Sequence, residues 1–284
     1  MKVAPFAPLE PGFYREVVRR ALAEDLGWGD VTTEATVPSD LRGRGRLVAN
    51  EPCVVAGLDI AAETFRQLDP NAVATWAVQD GARISAGTQL GEVVGRAVAL
   101  LTAERTALNF LQRLCGIATL TRSFVEAAGG RTTVLDTRKT APTLRALDKY
   151  AVRAGGGVNH RLALDDGILI KDNHVTVAGG VRSAVARMKE AGQDMPIEVE
   201  VKTLDELDAA LEAGADRILA DNMEVDALRE VVKRTRGRAR VEISGGVTLD
   251  RVPELAILGA EFISVGAITH SARAIDLTFS IEAL

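Results

Sequence analysis

Six short runs rich in β-branched residues recur through the second half of the chain: TTVLD (132–136), ILI (168–170), IEVEV (197–201), RILA (217–220), RVEIS (240–244) and FISV (262–265). Helical patterns at 181–191, 204–213 and 224–235 separate several of them. Strands joined by helical crossovers run parallel, so this alternation predicts an α/β fold built on a parallel sheet. Repeated at intervals of roughly 20 to 35 residues, it favours a β/α barrel over the alternative, an open doubly wound sheet.

The first half has a different texture. Of the seven lysines, none lies between Lys2 and Lys139, which suggests two domains. Residues 13–26 space their apolar positions as a helix does, and Gly27, Gly29 and Asp30 break it. From Arg42 to Leu101 the stretches GRLVA, CVVAG, AVATWAV, TQLGEVVG and AVALL, punctuated by Asp80-Gly81 and Gly87, predict an antiparallel sheet. The segment VQDGARISAGTQLGEVVG resembles the hairpin of biotinyl and lipoyl carriers, but it holds no lysine to carry a prosthetic group, so it is read as structural. A helix from Thr102 to about Ala128 then leads into the second domain.

Bulk properties remove several classes of function. A net charge of −5 argues against a general nucleic-acid binder, which needs a broad positive surface. No apolar run reaches the roughly 20 residues that span a bilayer, and the first residues lack the apolar core of a secretory signal, so no membrane role is expected and the cytoplasm is the expected compartment. Cys53 and Cys115 are too few and too far apart for a disulfide framework or a zinc site.

Within this acidic chain one basic cluster stands out. DTRKT begins at Asp136, NHR spans Asn159 to Arg161 and KDNH spans Lys171 to His174, beside Gly155 to Gly157. Such density of cations next to flexible backbone suits a small, multiply charged anion. Further polar residues fall where the parallel strands would end: Glu200, Lys202, Asp221, Asn222, Ser244 to Gly246 and Gly266 to His270. Barrel enzymes build their sites at that face. The glycine loops Ser244–Gly245–Gly246 and Val265–Gly266–Ala267 read as phosphate cradles, or as tight turns at helix starts. Glu200 and Asp221 call for a cation, either magnesium shared with a phosphorylated substrate or a salt bridge to Lys171 or Lys202. Lys139 and Lys171 would also suit imine chemistry, although the density of cations favours anion binding. His160 is read at the site beside Arg161, His174 and His270 as site residues or helix caps, and Arg105, from its helical spacing, as a solvated face residue.

Taken together, EDLGWGDVTT (24–33), TAERTALNFLQRLCGIAT (102–119), the long stretch 136–174, EVEV (198–201), LADNM (219–223), SGGV (244–247) and SVGAITHS (264–271) resemble the quinolinate phosphoribosyltransferase family over nearly the whole chain. The resemblance implies an N-terminal α/β sandwich domain at 1–112, an incomplete, seven-stranded β/α barrel of type II phosphoribosyltransferase kind at 113–272, and a C-terminal segment at 273–284 returning to the first domain. It implies transfer of phosphoribosyl from phosphoribosyl pyrophosphate to quinolinate with decarboxylation, with Mg2+ as cofactor. Arg138, His160, Arg161 and Lys171 then match quinolinate-binding cations. Arg105 matches one supplied across a homodimer interface, which revises its reading from spacing. Thr137, Lys139, Glu200 and Asp221 match positions around phosphoribosyl pyrophosphate and its magnesium, held directly or through water. Ser244, Gly245, Gly246, Val265, Gly266 and Ala267 match loops that hold the 5-phosphate. The alternatives are a phosphoribosyltransferase for nicotinate or another small acid without decarboxylation, and a non-catalytic barrel that binds phosphorylated metabolites.

Overall fold

The computed structural model describes residues 6–284; the first five residues of the expected N-terminal domain, part of the start read as lacking a secretory signal, lie outside them. In chain order a short 3-10 turn, Pro11–Phe13, precedes α1 (Arg15–Leu26), α2 (Val31–Thr36), β1 (Arg42–Ala49), β2 (Cys53–Val54), α3 (Leu58–Leu68), β3 (Val73–Trp76), β4 (Arg83–Ile84), β5 (Gln89–Arg96) and the long α4 (Ala97–Ala128). There follow β6 (Thr133–Leu135), α5 (Arg145–Ala154), β7 (Ile168–Ile170), α6 (Asp172–Ala178), α7 (Val181–Glu190), β8 (Ile197–Val201), α8 (Leu204–Ala213) and β9 (Arg217–Asp221). The chain ends with α9 (Val225–Thr235), β10 (Arg240–Ser244), α10 (Val252–Ala256), β11 (Phe262–Ser264), α11 (Ala267–His270) and β12 (Leu277–Ala283).

Two units result. One takes residues up to Arg122 together with Thr140–Gly156 and Ala267–Leu284; the other takes Ser123–Lys139 and Gly157–Gly266. This division by contacts cuts through α4 and through the stretch 136–174.

In the first unit four antiparallel strands stand in the order β12-β1-β5-β3, with β2 and β4 as a separate pair. Burial along β1 alternates as a half-buried strand requires. Gly45 occupies one inward position because a Cβ there would meet the Phe279 ring at 2.0 Å. Phe279 stacks on Phe65 of α3 with centroids 5.6 Å apart. Leu47, Leu90, Val93, Leu100, Leu111 and Leu277 complete the core around them. Ala97–Leu101 corrects one expectation: these residues are helical, not extended. Within five residues AVALL looks like a strand, but Leu100, Ala103, Ala107, Leu111 and Leu114 continue it at helical spacing, and all five are buried.

In the second unit six parallel strands stand in the order β6-β11-β10-β9-β8-β7. A bridge between Leu135 and Val158 adds a seventh position beyond β6, of one residue only. Ile197, Val199, Val201, Ile218, Ala220, Val241 and Ile243 form one buried apolar set along these strands. The alternate residues Glu198, Glu200, Arg217, Asp221, Glu242 and Ser244 share the other face by the period-two rule. The apolar set supplies the core, and the polar set makes the barrel's inner face a place for chemistry.

Candidate active site

Each cation named from the sequence in the barrel unit follows the C-terminal end of a parallel strand. Thr137, Arg138 and Lys139 follow β6, His160 and Arg161 follow the bridge residue Val158, and Lys171 follows β7. Thr137 fixes the loop by accepting the Lys139 amide on Oγ1 at 3.1 Å, and the Lys139 side chain stands exposed beyond it. The Arg161 pKa is lowered, first by burial and next by the charge of Arg138. Each guanidinium disfavours the other's charge, which an anionic ligand would relieve.

Glu200, from β8, is half-buried, and its pKa is raised by burial and then by Asp221, the last residue of β9, and by Asp172. The salt bridge considered from the sequence does not form: Lys202 turns to Asp172, with Nζ 2.6 Å from Oδ2. Glu200 and Asp221 thus share one edge of the mouth, without an ion pair among the described residues. Paired carboxylate oxygens of this kind suit a hard cation such as magnesium, whose charge would relieve their repulsion.

The first glycine loop is built by contact with its neighbour strand. Asn222, just past β9, adopts a φ of 53°, and its amide donates to the Ser244 carbonyl at 2.9 Å. Gly245 and Gly246 follow with φ of 83° and 57°. Glycine adopts positive φ freely at both positions, and without a β-carbon the backbone here can come close to a ligand. The second loop closes β11 through Val265, whose amide donates to the Leu135 carbonyl at 2.9 Å; Gly266 ends the barrel unit, and Ala267 opens α11 in the other.

His160 is placed differently from a simple surface cation. Its amide donates to Asp136 Oδ1 at 2.8 Å, and Asn159 Nδ2 donates to Asp136 Oδ2 at 2.6 Å, so one fully buried carboxylate pins this segment. The ring points among the inner-face acids, with Nε2 at 3.0 Å from Glu198 Oε2 and 3.5 Å from Glu242 Oε2. Arg217 reaches the same acids, at 3.7 Å and 3.6 Å, from a position 4.5 Å over the Phe262 ring. Burial pushes the His160 pKa down, but the two carboxylates outweigh it and hold it up to about 9. On the other ring edge the Arg161 amide lies 2.7 Å from Nδ1, a contact that favours the neutral ring. The surrounding charge favours the imidazolium; Nε2 carries a hydrogen in both forms.

The remaining histidines have local roles. His174 Nδ1 accepts the Lys171 amide at 3.0 Å and caps α6, and His270, exposed in the other unit, places Nδ1 2.6 Å from Ser271 Oγ. Arg105 also belongs to the other unit, on α4. It lines a recess with Asp25, Gly29, Asp30 and Thr102. Asp30 shapes that recess by capping α2 through the Thr33 amide at 2.9 Å and accepting from Thr102 Oγ1 at 3.0 Å.

Sequence reasoning missed Glu198, Arg217 and Glu242. Period-two spacing puts Glu198 on the face of Glu200, a signal legible in IEVEV; nothing in RILA or RVEIS announced that Arg217 and Glu242 would meet it.

Comparison with known proteins adds two kinds of finding. The family model described as quinolinate phosphoribosyl transferase, C-terminal domain, matches residues 117–280, and its N-terminal counterpart matches residues 30–115. A nicotinate-nucleotide pyrophosphorylase (carboxylating) of Mycobacterium leprae is 45% identical over 271 residues, covering 93% of this chain and 95% of the relative. A chloroplastic protein of the same name from Oryza sativa is 41% identical over 304 residues, covering 99% and 80%. Among solved structures, NadC from Streptococcus pyogenes superposes with a TM-score of 0.94 at 37% identity, covering 98% of this chain and 99% of that one.

Proposed function

The chain belongs to the quinolinate phosphoribosyltransferase family, and from that membership we propose how its residues handle the two substrates. The enzyme is a pentosyltransferase that moves phosphoribosyl from phosphoribosyl pyrophosphate to quinolinate with decarboxylation, giving nicotinate mononucleotide, pyrophosphate and CO2 in de novo NAD biosynthesis. The observation that carries the site assignment is the placement of Arg138 and Arg161, whose charges act on each other, after the C-terminal ends of parallel strand positions. A dicarboxylate brings two negative charges to this pair and Lys171, where a monoacid brings one. The relatives' names likewise do not favour the monoacid.

Quinolinate binds with its carboxylates on Arg138, Arg161 and Lys171, with His160 behind Arg161. Phosphoribosyl pyrophosphate lies with its 5-phosphate against the Ser244–Gly246 loop, with Val265 and Gly266 at the end of β11 beside it. Its pyrophosphate faces Lys139, with Thr137 ordering that loop. Glu200 and Asp221 would hold magnesium directly or through water, and the bound ion supplies positive charge against the departing pyrophosphate. As the C1–O bond to pyrophosphate breaks, the ribose gains oxocarbenium character and the pyridine nitrogen closes on C1; the protein contributes alignment and fixed charge. The carboxylate at position 2 then leaves as CO2, its bonding electrons pass into the cationic ring, and a solvent proton replaces it. No covalent enzyme intermediate is needed.

A homodimer with shared sites is part of this proposal. Trp28 and Val31 stand fully and largely exposed on the segment beside the Arg105 recess. Apolar side chains bare next to a functional arginine are what a second copy would cover. We place the enzyme in the cytoplasm. Two buried free thiols suit a reducing compartment, and no helix among the described residues is long and apolar enough to cross a membrane.

The direct test supplies quinolinate, phosphoribosyl pyrophosphate and magnesium and follows nicotinate mononucleotide and CO2 together, with nicotinate in parallel. Equal release of both products from quinolinate alone is expected; product from nicotinate without CO2 would overturn the substrate assignment.

A further inference from the structure

Four ionisable side chains meet inside the barrel, and three of them are not among the expected site residues. Glu198 comes from β8, Arg217 from β9, Glu242 from β10 and His160 from the segment after Val158. The Glu198 and Glu242 side chains are 6% and 1% exposed, and burying two carboxylates is expensive unless they are compensated. Arg217 offsets part of this charge and the His160 ring donates its Nε2 hydrogen to the acids, so the group can persist in the interior. The cost of keeping it there calls for a function beyond packing, because apolar residues of similar volume would fill the same space.

We propose that Glu198 and Glu242 are positioning residues for the dicarboxylate end of the site: they clamp the His160 ring through Nε2, and the ring in turn fixes Arg161. The inference rests on the assignment of Arg161 to quinolinate. The chain of contacts is continuous. Nε2 donates to Glu198 Oε2 at 3.0 Å, the Arg161 amide meets Nδ1 at 2.7 Å, and Arg161 Nη1 donates to the Gly167 carbonyl at 3.2 Å. Arg161 is thereby held at both its backbone and its guanidinium. Arg217 stands behind the two acids and keeps their charge from falling on the ring alone. With both ring nitrogens engaged inside the protein, His160 acts chiefly through Arg161.

His160, Glu198 and Glu242 also bring three donor atoms within 4.8 Å of one another, a spacing that a divalent cation could use. The surroundings argue for the clamp instead. The Arg217 guanidinium already provides the positive charge, and the contact at Nδ1 keeps a hydrogen on Nε2, the atom whose lone pair a metal would require.

A double-mutant cycle on the full-length enzyme tests the proposal. Glu242→Gln, which keeps volume, His160→Asn and the double variant are compared for KM of each substrate and for thermal midpoint, after wild-type turnover of quinolinate has been verified. Glu242→Gln should raise the quinolinate KM by about tenfold while moving that of phosphoribosyl pyrophosphate less than about twofold. Added to His160→Asn, it should have almost no further effect, because the clamp acts only through the ring. Glu198→Gln provides the same reading should Glu242→Gln fail to fold. Additive effects, or equal rises in both KM values, would overturn the proposal while leaving the enzyme's assignment intact; a wild type inert with quinolinate would overturn the assignment and this inference with it.

Discussion

Asn222 and Gly245 are fitted to each other: a Cβ on Gly245 would come within 2.4 Å of the Asn222 amide carbon. Asn222 also donates from Nδ2 to Asp221 Oδ2 at 2.8 Å. The glycine loop on β10 and the acid at the end of β9 are therefore one mechanical unit.

Gly245→Ala should consequently injure the phosphate loop and the acid edge together. Its φ of 83° adds strain for any L residue. The expected result is a rise of about tenfold or more in KM for phosphoribosyl pyrophosphate and a loss of about 1–3 kcal/mol in stability. Steady-state kinetics and denaturant titration measure both, and an alanine variant with unaltered KM would remove this loop from the phosphate site.

Glu200 and Asp221 repel each other in the protein alone, so removing one charge should not cost stability. Glu200→Gln should leave the thermal midpoint unchanged or slightly raised and lower kcat by about 10²–10³. Stripping divalent cations with a chelator should abolish turnover of the wild type, and magnesium should restore it. Full activity of Glu200→Gln at low magnesium would contradict the metal assignment.

His160 should make stability fall with alkalinity. Its pKa in the folded chain, about 9, lies above the ordinary 6.5. Its contribution is therefore complete below about pH 6.5 and disappears as pH rises through about 9. The amount is on the order of 1–3 kcal/mol. A thermal-midpoint profile from pH 6 to 10 should show this decline, and His160→Asn should flatten it. A wild-type profile as flat as that variant's would mean that the ring stays neutral, as the Arg161 contact at Nδ1 favours.

If Arg105 serves the site of a second copy, two inactive variants should rescue each other. Arg105→Ala and Lys139→Ala, each nearly inactive, should regain about a quarter of wild-type activity when unfolded and refolded as an equal mixture. Half of the dimers are then mixed, and each mixed dimer keeps one intact site. No recovery, with dimers formed, would place Arg105 in its own chain's site.

Much of this protein was legible in its sequence because it depends on local pattern. The β-branched runs and their spacing carried the parallel barrel, with Glu200 and Asp221 at strand ends and Arg138, Lys139, Arg161 and Lys171 in the segments that follow strand positions. AVALL misled because five residues do not distinguish an apolar strand from the start of an amphipathic helix. The stretch 136–174 reads as one motif, yet its middle, Thr140–Gly156, packs in the other unit. There Arg113 grips the fully buried Asp148 with two hydrogen bonds of 2.9 Å and 2.8 Å.

The sequence by itself determined the order of elements, the polarity of the mouth and the chemistry of its loops, since periodicity and residue type act over a few neighbours. Only the tertiary structure decided that Lys202 would choose Asp172, that Asn222 would set the Gly245 turn, and that His160 would face Glu198 and Glu242 rather than solvent. These outcomes depend on which side chains lose water together, and strands distant in sequence settle that only when the barrel closes.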